Sequence, residues 1–345
     1  MVRFAAVLAS AATICVAAGA MDSACAAGDT KVALVPGGPH PYFAAWEQAA
    51  ADAKRDFGLA DDQYKVPPKW ELSAQNELIE STVSQGFNGF GIFPGDAVGT
   101  NATMQELAGF GVPSIALAGC TKDPTPALFC MGTDVARSAY LGTKELLKAL
   151  GNKGNIAHFT GFLVDPNTQL RIQAVEKAVA EAGGGAKIVQ VIADIDAPQP
   201  ADEKINAFLA AQGKSVDGII TTAWVPSVVA ATALSNIGAK RITMVGIDHD
   251  EVVLKAIKDG YVHGTMLQNP YGQGYIGSYA LNLVRTGCKV KADAPWQKTA
   301  QTDHFIDSGT AFVDASSVDT YQDKMKAVTK EIMTDFKAKY LSCPG

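Results

Sequence analysis

The polar residues of this chain are informative first for the catalytic patterns they do not form. There is no Gly-x-Ser-x-Gly elbow, no His-Glu-x-x-His pair and no full P-loop in the 345 residues, so the common signatures for nucleophilic, zinc and nucleotide chemistry are missing. What stands out is the stretch "KVALVPGGPHPYFAAWEQAA" at 31–50. An apolar run, a Gly/Pro turn and a helical segment follow one another there, as at the start of a dinucleotide fold. A phosphate cradle needs free backbone N–H groups, and Pro39 and Pro41 each remove one. This turn therefore offers side chains. Tyr42 and Phe43 would project where the strand ends, next to the polar His40. Aromatic faces beside a hydrogen-bonding group suit the apolar C–H face of a sugar ring. Trp46, a turn further on, reads as a core residue of the helix.

The first 27 residues show one early Arg, an Ala-rich apolar run and then Ala-Cys-Ala-Ala. That is the layout of a secretory signal peptide cleaved after Ala26 or Ala27, rather than of a membrane anchor. Export gives meaning to Cys120, Cys130, Cys288 and Cys343, which an oxidising compartment would pair. The Pro-rich loop "TKDPTPALF" between Cys120 and Cys130 would let those two meet, and Cys288 would then tie down the C-terminus through Cys343. Buried free thiols are the alternative. Zinc is not, because the spacings match no ligand pattern.

The elements that must position these side chains are repetitive. Short apolar runs ("GFGIF", "PSIAL", "GNIAHF", "KIVQVI", "DGIITT", "ITMVGI", "GTMLQ") alternate with segments of helical period. Strands without polar alternation between amphipathic helices predict parallel sheets covered on both faces, hence a doubly wound α/β architecture. The series restarts at "NIAHFTG", and one core rarely grows past about 250–300 residues. Two lobes with a cleft between them follow, with crossings expected near Thr133–Asp134, near Gln268 and around Asp303–His304. The expected division is 1–27 signal peptide, 28–133 with 269–302 as the N-terminal lobe, 134–268 with 303–315 as the C-terminal lobe, and 316–345 as a helix and tail. Val318, Tyr321, Met325, Val328, Ile332, Phe336 and Tyr340 mark that helix as amphipathic, packed on its own lobe or serving as a dimer seam. A net charge of −6 with no Lys/Arg block argues against a nucleic-acid partner.

Taken in order, "HPYF", "VGIDHDE" and "TMLQNP" in two βα lobes resemble the type I periplasmic binding proteins, closest to the ribose- and galactose-type solute receptors of ABC transporters, over residues 31 to about 315. The resemblance implies a non-catalytic, cofactor-free and metal-free monomer in the periplasm. It would trap a sugar or similar polar solute by hinge closure and deliver it to a membrane permease. It also places functions. His40-Pro41-Tyr42-Phe43 matches a stretch whose aromatics stack on the sugar, Arg171 the hydroxyl-gripping arginine, Asp248 the carboxylate ending a "VGxD" strand, and Gln268 a glutamine at a crossing. Two positions depart from the pattern. Ala118-Gly119 stands where sugar receptors carry Asp-Arg, and Ala223-Trp224 where they carry Asn-Asp, so Trp224 adds an indole to the cleft. A receptor for a nucleoside, a signal molecule or a small aromatic is the alternative, and a secreted α/β enzyme a more distant one. Asp96 and Asp134 read as helix caps, and Asp165 and Asn167 as caps of the Arg171 helix with ligand contact second. Glu71 could face the cleft or water, and His249 reads as solvated.

Overall fold

The structure, a computed structural model, describes residues 28–344. The expected signal peptide lies outside them. β1 (Lys31–Val35) leads through one 3-10 turn (Pro41–Ala44) into α1 (Ala45–Phe57). β2 (Asp61–Tyr64), α2 (Leu72–Ser84), β3 (Gly89–Ile92), α3 (Thr100–Gly109), β4 (Ser114–Leu117) and β5 (Cys130–Gly132) complete the first series. The second comprises α4 (Val135–Ala149), β6 (Gly154–Phe159), α5 (Pro166–Ala180), β7 (Ala186–Ile192), α6 (Pro198–Gln212), β8 (Gly218–Thr221), α7 (Trp224–Asn236), β9 (Thr243–Ile247), α8 (Glu251–Lys258) and β10 (Gly264–Leu267). The chain then returns through α9 (Pro270–Arg285), β11 (Lys289–Val290), β12 (Phe305–Asp307), β13 (Ala311–Asp314), α10 (Tyr321–Tyr340) and β14 (Leu341–Ser342).

Two six-stranded sheets result, ordered β12-β5-β4-β3-β1-β2 and β13-β10-β9-β8-β6-β7. Within these two sheets all strand pairings are parallel except that of β13 on β10; β11 and β14 form a separate antiparallel pair. Strands β3, β4, β8 and β10 are buried along their whole length, as expected where helices cover both faces. The Gly272-x-Gly274-x-x-Gly277 spacing, which on paper looks like a dinucleotide fingerprint, lies inside α9. A Cβ at Gly274 would come within 3.0 Å of Ala49 Cβ, and one at Gly277 within 3.1 Å of Ile115 and Leu117. These glycines let α9 press against α1 and the sheet.

The third crossing falls later than the sequence suggested. Phe305–Asp307 pairs with β5 in the first sheet, so the change of lobe occurs at 308–310, and only β13 joins the second sheet. The three crossings are hydrogen-bonded together. Ser308 Oγ lies 3.4 Å from Thr133 Oγ1, and Asn269 Nδ2 donates to the Ser308 carbonyl at 3.1 Å. The C-terminal helix does not keep to one lobe. Tyr321 and Met325 pack against the second lobe's core, whereas Ile332, Met333 and the fully buried Phe336 belong to the first lobe's. Thr329, between these halves, accepts a hydrogen bond from Asn269 Nδ2 at 2.9 Å. The apolar stripe is thus divided between two bodies across the hinge. Cys120–Cys130 and Cys288–Cys343 are disulfide-bonded, the second joining the end of α9 to the chain's tail.

Candidate functional site

Strands of both sheets end on one cleft, lined by the residues that follow β1, β3, β4, β6, β7, β8, β9 and β10. Such ends are where open parallel sheets expose backbone and side chains to a ligand. His40, Tyr42, Phe43, Arg171, Trp224, Asp248 and Gln268 all line it.

The N-terminal wall is aromatic. Pro41 opens the 3-10 turn, where a missing N–H costs nothing, and His40 caps it by accepting from the Tyr42 N–H. Phe43 meets Phe93 edge-on at 5.1 Å and lies tilted to Trp70 at 6.2 Å, while Trp70 meets Phe93 at 5.6 Å. Tyr42 is buried and donates from its hydroxyl to Gln273 Oε1 at 2.9 Å. Its pKa lies far above the ordinary phenol value, because burial and then the nearby Asp248 disfavour a phenolate. Gln75 fixes this wall from behind, donating to the carbonyls of Pro36 and Phe93 and accepting from Gly95 N–H. Trp46 is fully buried behind the wall in the core.

The C-terminal wall is charged. Asp165 caps α5 by accepting from Asn167 N–H, which aims the first turn of the helix, and Arg171 on its next turn, into the cleft. Arg171 is only 8% exposed, and its Nε has no hydrogen-bond partner among the described residues. Asp248 is buried and accepts from Gln268 Nε2 at 2.8 Å. Burial raises its pKa to about 6, against the lowering effects of Gln268 and Arg171. Burial likewise raises that of Asp165, opposed by Arg171. His158, behind Arg171 on β6, is pushed down to about 3 by burial and then by Arg171, and is therefore neutral. A cation enclosed without a full set of acceptors, flanked by carboxylates that resist ionisation, is under-satisfied in both signs. A ligand bearing several hydroxyls can donate to the carboxylates and accept from the guanidinium.

The two departures from the sugar-receptor pattern acquire a geometric reading. A Cβ at Gly119 would stand 2.8 Å from the Phe93 ring, so this ring takes the space a longer side chain would need. Trp224 sits at the start of α7 and donates from Nε1 to Asp250 Oδ2 at 3.1 Å, so its polar edge is satisfied by protein. Both changes replace polar anchors with aromatic surface.

Several lining residues carried no site assignment from the sequence. Trp70, Phe93, Phe162 and Asp196 line the cleft, as do Asp165, the cap of α5, and Asn167. Asn167 is not the second cap expected from the sequence: its N–H is the donor to Asp165, and its Nδ2 donates to the Ala118 carbonyl at 3.4 Å. The signal available was position, since each follows the carboxyl end of a β-run or opens the next helix. Asp134 caps α4, accepting from Arg137 N–H. Asp96, in contrast, is not the cap of α3, whose N-cap position is Gly99; Asp96 Oδ1 accepts from Val98 and Gly99 N–H in the turn before that helix. Glu71 faces water beside Lys69. His249 is not solvated as expected. It packs edge-on to Trp224 at 5.4 Å and lies 5.8 Å from the Tyr321 ring.

The model of the periplasmic binding protein domain matches residues 32–288. The chain belongs to that family. It is similar to the xylitol-binding protein of Mycolicibacterium smegmatis, 24% identical over 278 residues, covering 80% of this chain and 78% of that one. Among solved structures, an ABC transporter solute-binding protein from Burkholderia graminis in complex with D-arabinose superposes with a TM-score of 0.76 at 24% identity, over 86% of this chain and 99% of that one. A solute-binding protein from Bacillus halodurans with bound myo-inositol gives 0.73 at 19% identity, over 87% and 99%. The two-lobed α/β architecture is therefore that of type I periplasmic binding proteins, and several of the solved structures it resembles are ABC transporter solute-binding proteins. Among the described residues no helix is long and apolar enough to cross a membrane.

Proposed function

We propose that the protein is an exported, non-catalytic receptor that holds one small neutral polyhydroxylated solute, a monosaccharide or sugar alcohol, between its lobes and delivers it to a membrane ABC permease. The observation that carries this reading is Arg171, enclosed beside Asp248 and Asp165 and facing an aromatic wall, with an Nε that has no hydrogen-bond partner among the described residues. Solute hydroxyls would complete that hydrogen bonding, and the C–H faces of the solute would lie against Phe43, Trp70 and Trp224. Each charge-assisted bond is worth about 1.5–3 kcal/mol, so three or four support micromolar or tighter binding after the cost of association. Closure follows from the same contacts, because each wall supplies only half of them and the bound solute favours the state that joins both halves. The relatives' solutes set the first compounds to try. A thermal-shift and calorimetry panel of xylitol, D-arabinose and myo-inositol should raise the melting temperature with at least one member by mass action. A flat response to all of them, alongside a shift with a nucleoside or small aromatic, would transfer the assignment to a non-sugar receptor.

A further inference from the structure

At one point the second lobe reaches across the cleft to the first. Trp224 opens α7, whose next residue, Val225, packs on the second lobe's core. The indole instead packs against the core cluster of the first lobe, the one that contains Phe43, Phe93 and Ala118. The Ala118 carbonyl also accepts from Asn167 Nδ2 of the second lobe at 3.4 Å, so the two walls touch here. The indole is not free to turn. Its Nε1 donates to Asp250 Oδ2 at 3.1 Å, and Asp250 is itself fixed, because its Oδ1 caps α8 by accepting from Val252 N–H at 2.8 Å. His249 packs edge-on to the ring at 5.4 Å and is backed by Tyr321 of α10 at 5.8 Å. Swinging the ring aside would break the bond to Asp250 and strip apolar contacts from both lobes.

We infer that Trp224, held by Asp250, is a fixed stop at one end of the cleft that limits the receptor to a single solute of about five or six carbons. The inference rests on the reading of the protein as a receptor for polyhydroxylated solutes and deepens it to solute size. Where the indole meets the first wall no solute can lie between the two, while the rest of the ring lines the cleft. The free volume left in the cleft is about 60 Å³. A water needs about 10–15 Å³ on that measure, so the space takes roughly four to six waters. At about 30 Å³ of liquid per water that is roughly 120–180 Å³, the size of one small polyol and not of two joined together. A longer solute enters only by displacing the indole or by holding the lobes apart, and either gives up contacts that closure makes. Asp250 is outside the cleft lining and acts through the ring, as a positioning residue.

The test uses a length series of open-chain polyols, xylitol, D-mannitol and the heptitol perseitol, measured by calorimetry on wild type, Trp224→Ala and Asp250→Ser. Each protein is first checked for a cooperative thermal transition. Wild type should bind the better of the two shorter polyols about 100-fold more tightly than perseitol. Trp224→Ala should lower that ratio about 10-fold, even though it also loses ring contact with the shorter solutes. Serine at 250 still caps α8 but is too short to reach the indole, so Asp250→Ser should lower the ratio about 3-fold with little change in melting temperature. A merely structural role for Asp250 would weaken all the polyols alike and leave the ratio where it was. In solute-free protein labelled with fluorotryptophan, the fluorine resonance that Trp224→Phe removes should shift or broaden in Asp250→Ser. An unchanged ratio in Trp224→Ala, or a Trp224 resonance indifferent to Asp250→Ser, overturns the stop. If no polyol binds any of these proteins while the resonance still responds to Asp250→Ser, the fixed indole stands and the polyol assignment fails, so the two failures are distinguishable.

Discussion

The two walls of the cleft are built on the same βα plan and finished with opposite chemistry. The N-terminal wall is aromatic, its rings packed on one another and continuous with the core through Trp46. The C-terminal wall carries Arg171, Asp165, Asp196 and Asp248, whose hydrogen-bonding capacity its own lobe does not exhaust. A ring cluster reaches its folded energy without a ligand. An enclosed guanidinium between reluctant carboxylates does not. The difference teaches that the first lobe offers a finished surface and the second an unfinished network, so stability should be concentrated in one and affinity in the other.

The largest effect expected from that division concerns the covalent ties. Both disulfides bind the first lobe and its tail, Cys120–Cys130 across a separation of 10 and Cys288–Cys343 across 55. Loop-closure entropy puts the longer bridge at about 4 kcal/mol and the shorter at about 3. Replacing Cys288 and Cys343 by Ser should lower the denaturation free energy by about 4 kcal/mol and free the anchorage of α10. Solute affinity, measured well below the transition, should change less than threefold. An affinity loss as large as the stability loss would break the comparison, because it would mean that the aromatic wall is not finished on its own.

Arg171→Ala should invert that result. Removing the guanidinium deprives a solute of about two charge-assisted bonds, and affinity by calorimetry should fall by about 100-fold or more. The melting temperature of the solute-free protein should move little, since Arg171 Nε has no hydrogen-bond partner among the described residues. Unchanged affinity would remove Arg171 from the site and, with it, the contrast between the walls.

How much of this was readable in the chain follows the same division. Eight short apolar runs disclosed β1, β3, β4 and β6 to β10, because a parallel strand covered on both faces leaves an unbroken hydrophobic signature. All but the edge strand β7, which is largely exposed, are mostly or wholly buried. The edge strand β2, "DDQY", and the three-residue β12 escaped. An edge strand has one open side and few apolar residues, and a strand of three residues has no periodicity to detect. Misplacing the third crossing was the consequence of missing β12. The aromatic turn was legible because prolines forbid its rival use. Asp196 and Trp70 were not, since each lies in a loop whose direction depends on the whole lobe. The division of α10 between two cores was equally hidden, because an amphipathic stripe states that a face is buried and not by what.

A smaller effect tests the aromatic side alone. Trp70 is half-buried, lines the cleft and touches Phe43 and Phe93. Trp70→Ala should weaken solute binding about 10-fold through lost contact area and ring facing, while Trp70→Phe keeps most of it. Should Trp70→Ala cost as much affinity as Arg171→Ala, the first wall would be a determinant of recognition equal to the second, and the roles assigned above would merge.

The smallest effect separates strain from recognition at equivalent places in the two walls. Ala118 at the end of β4 and Asp248 at the end of β9 both adopt left-handed backbone, with φ of 63° and 70°. Each side chain pays a steric cost there that glycine avoids, on the order of 1 kcal/mol. Ala118→Gly relieves that cost at a residue whose methyl makes no polar contact, and glycine's greater freedom in the unfolded chain returns part of the gain. The net outcome should be a stabilisation of about 0.5 kcal/mol, with affinity unchanged within twofold. Asp248→Gly relieves the same backbone but removes the acceptor that Gln268 holds at 2.8 Å, so its affinity should collapse however the melting temperature moves. A parallel response of the two variants would show that the left-handed turn, and not the carboxylate, is what the second wall contributes at this point.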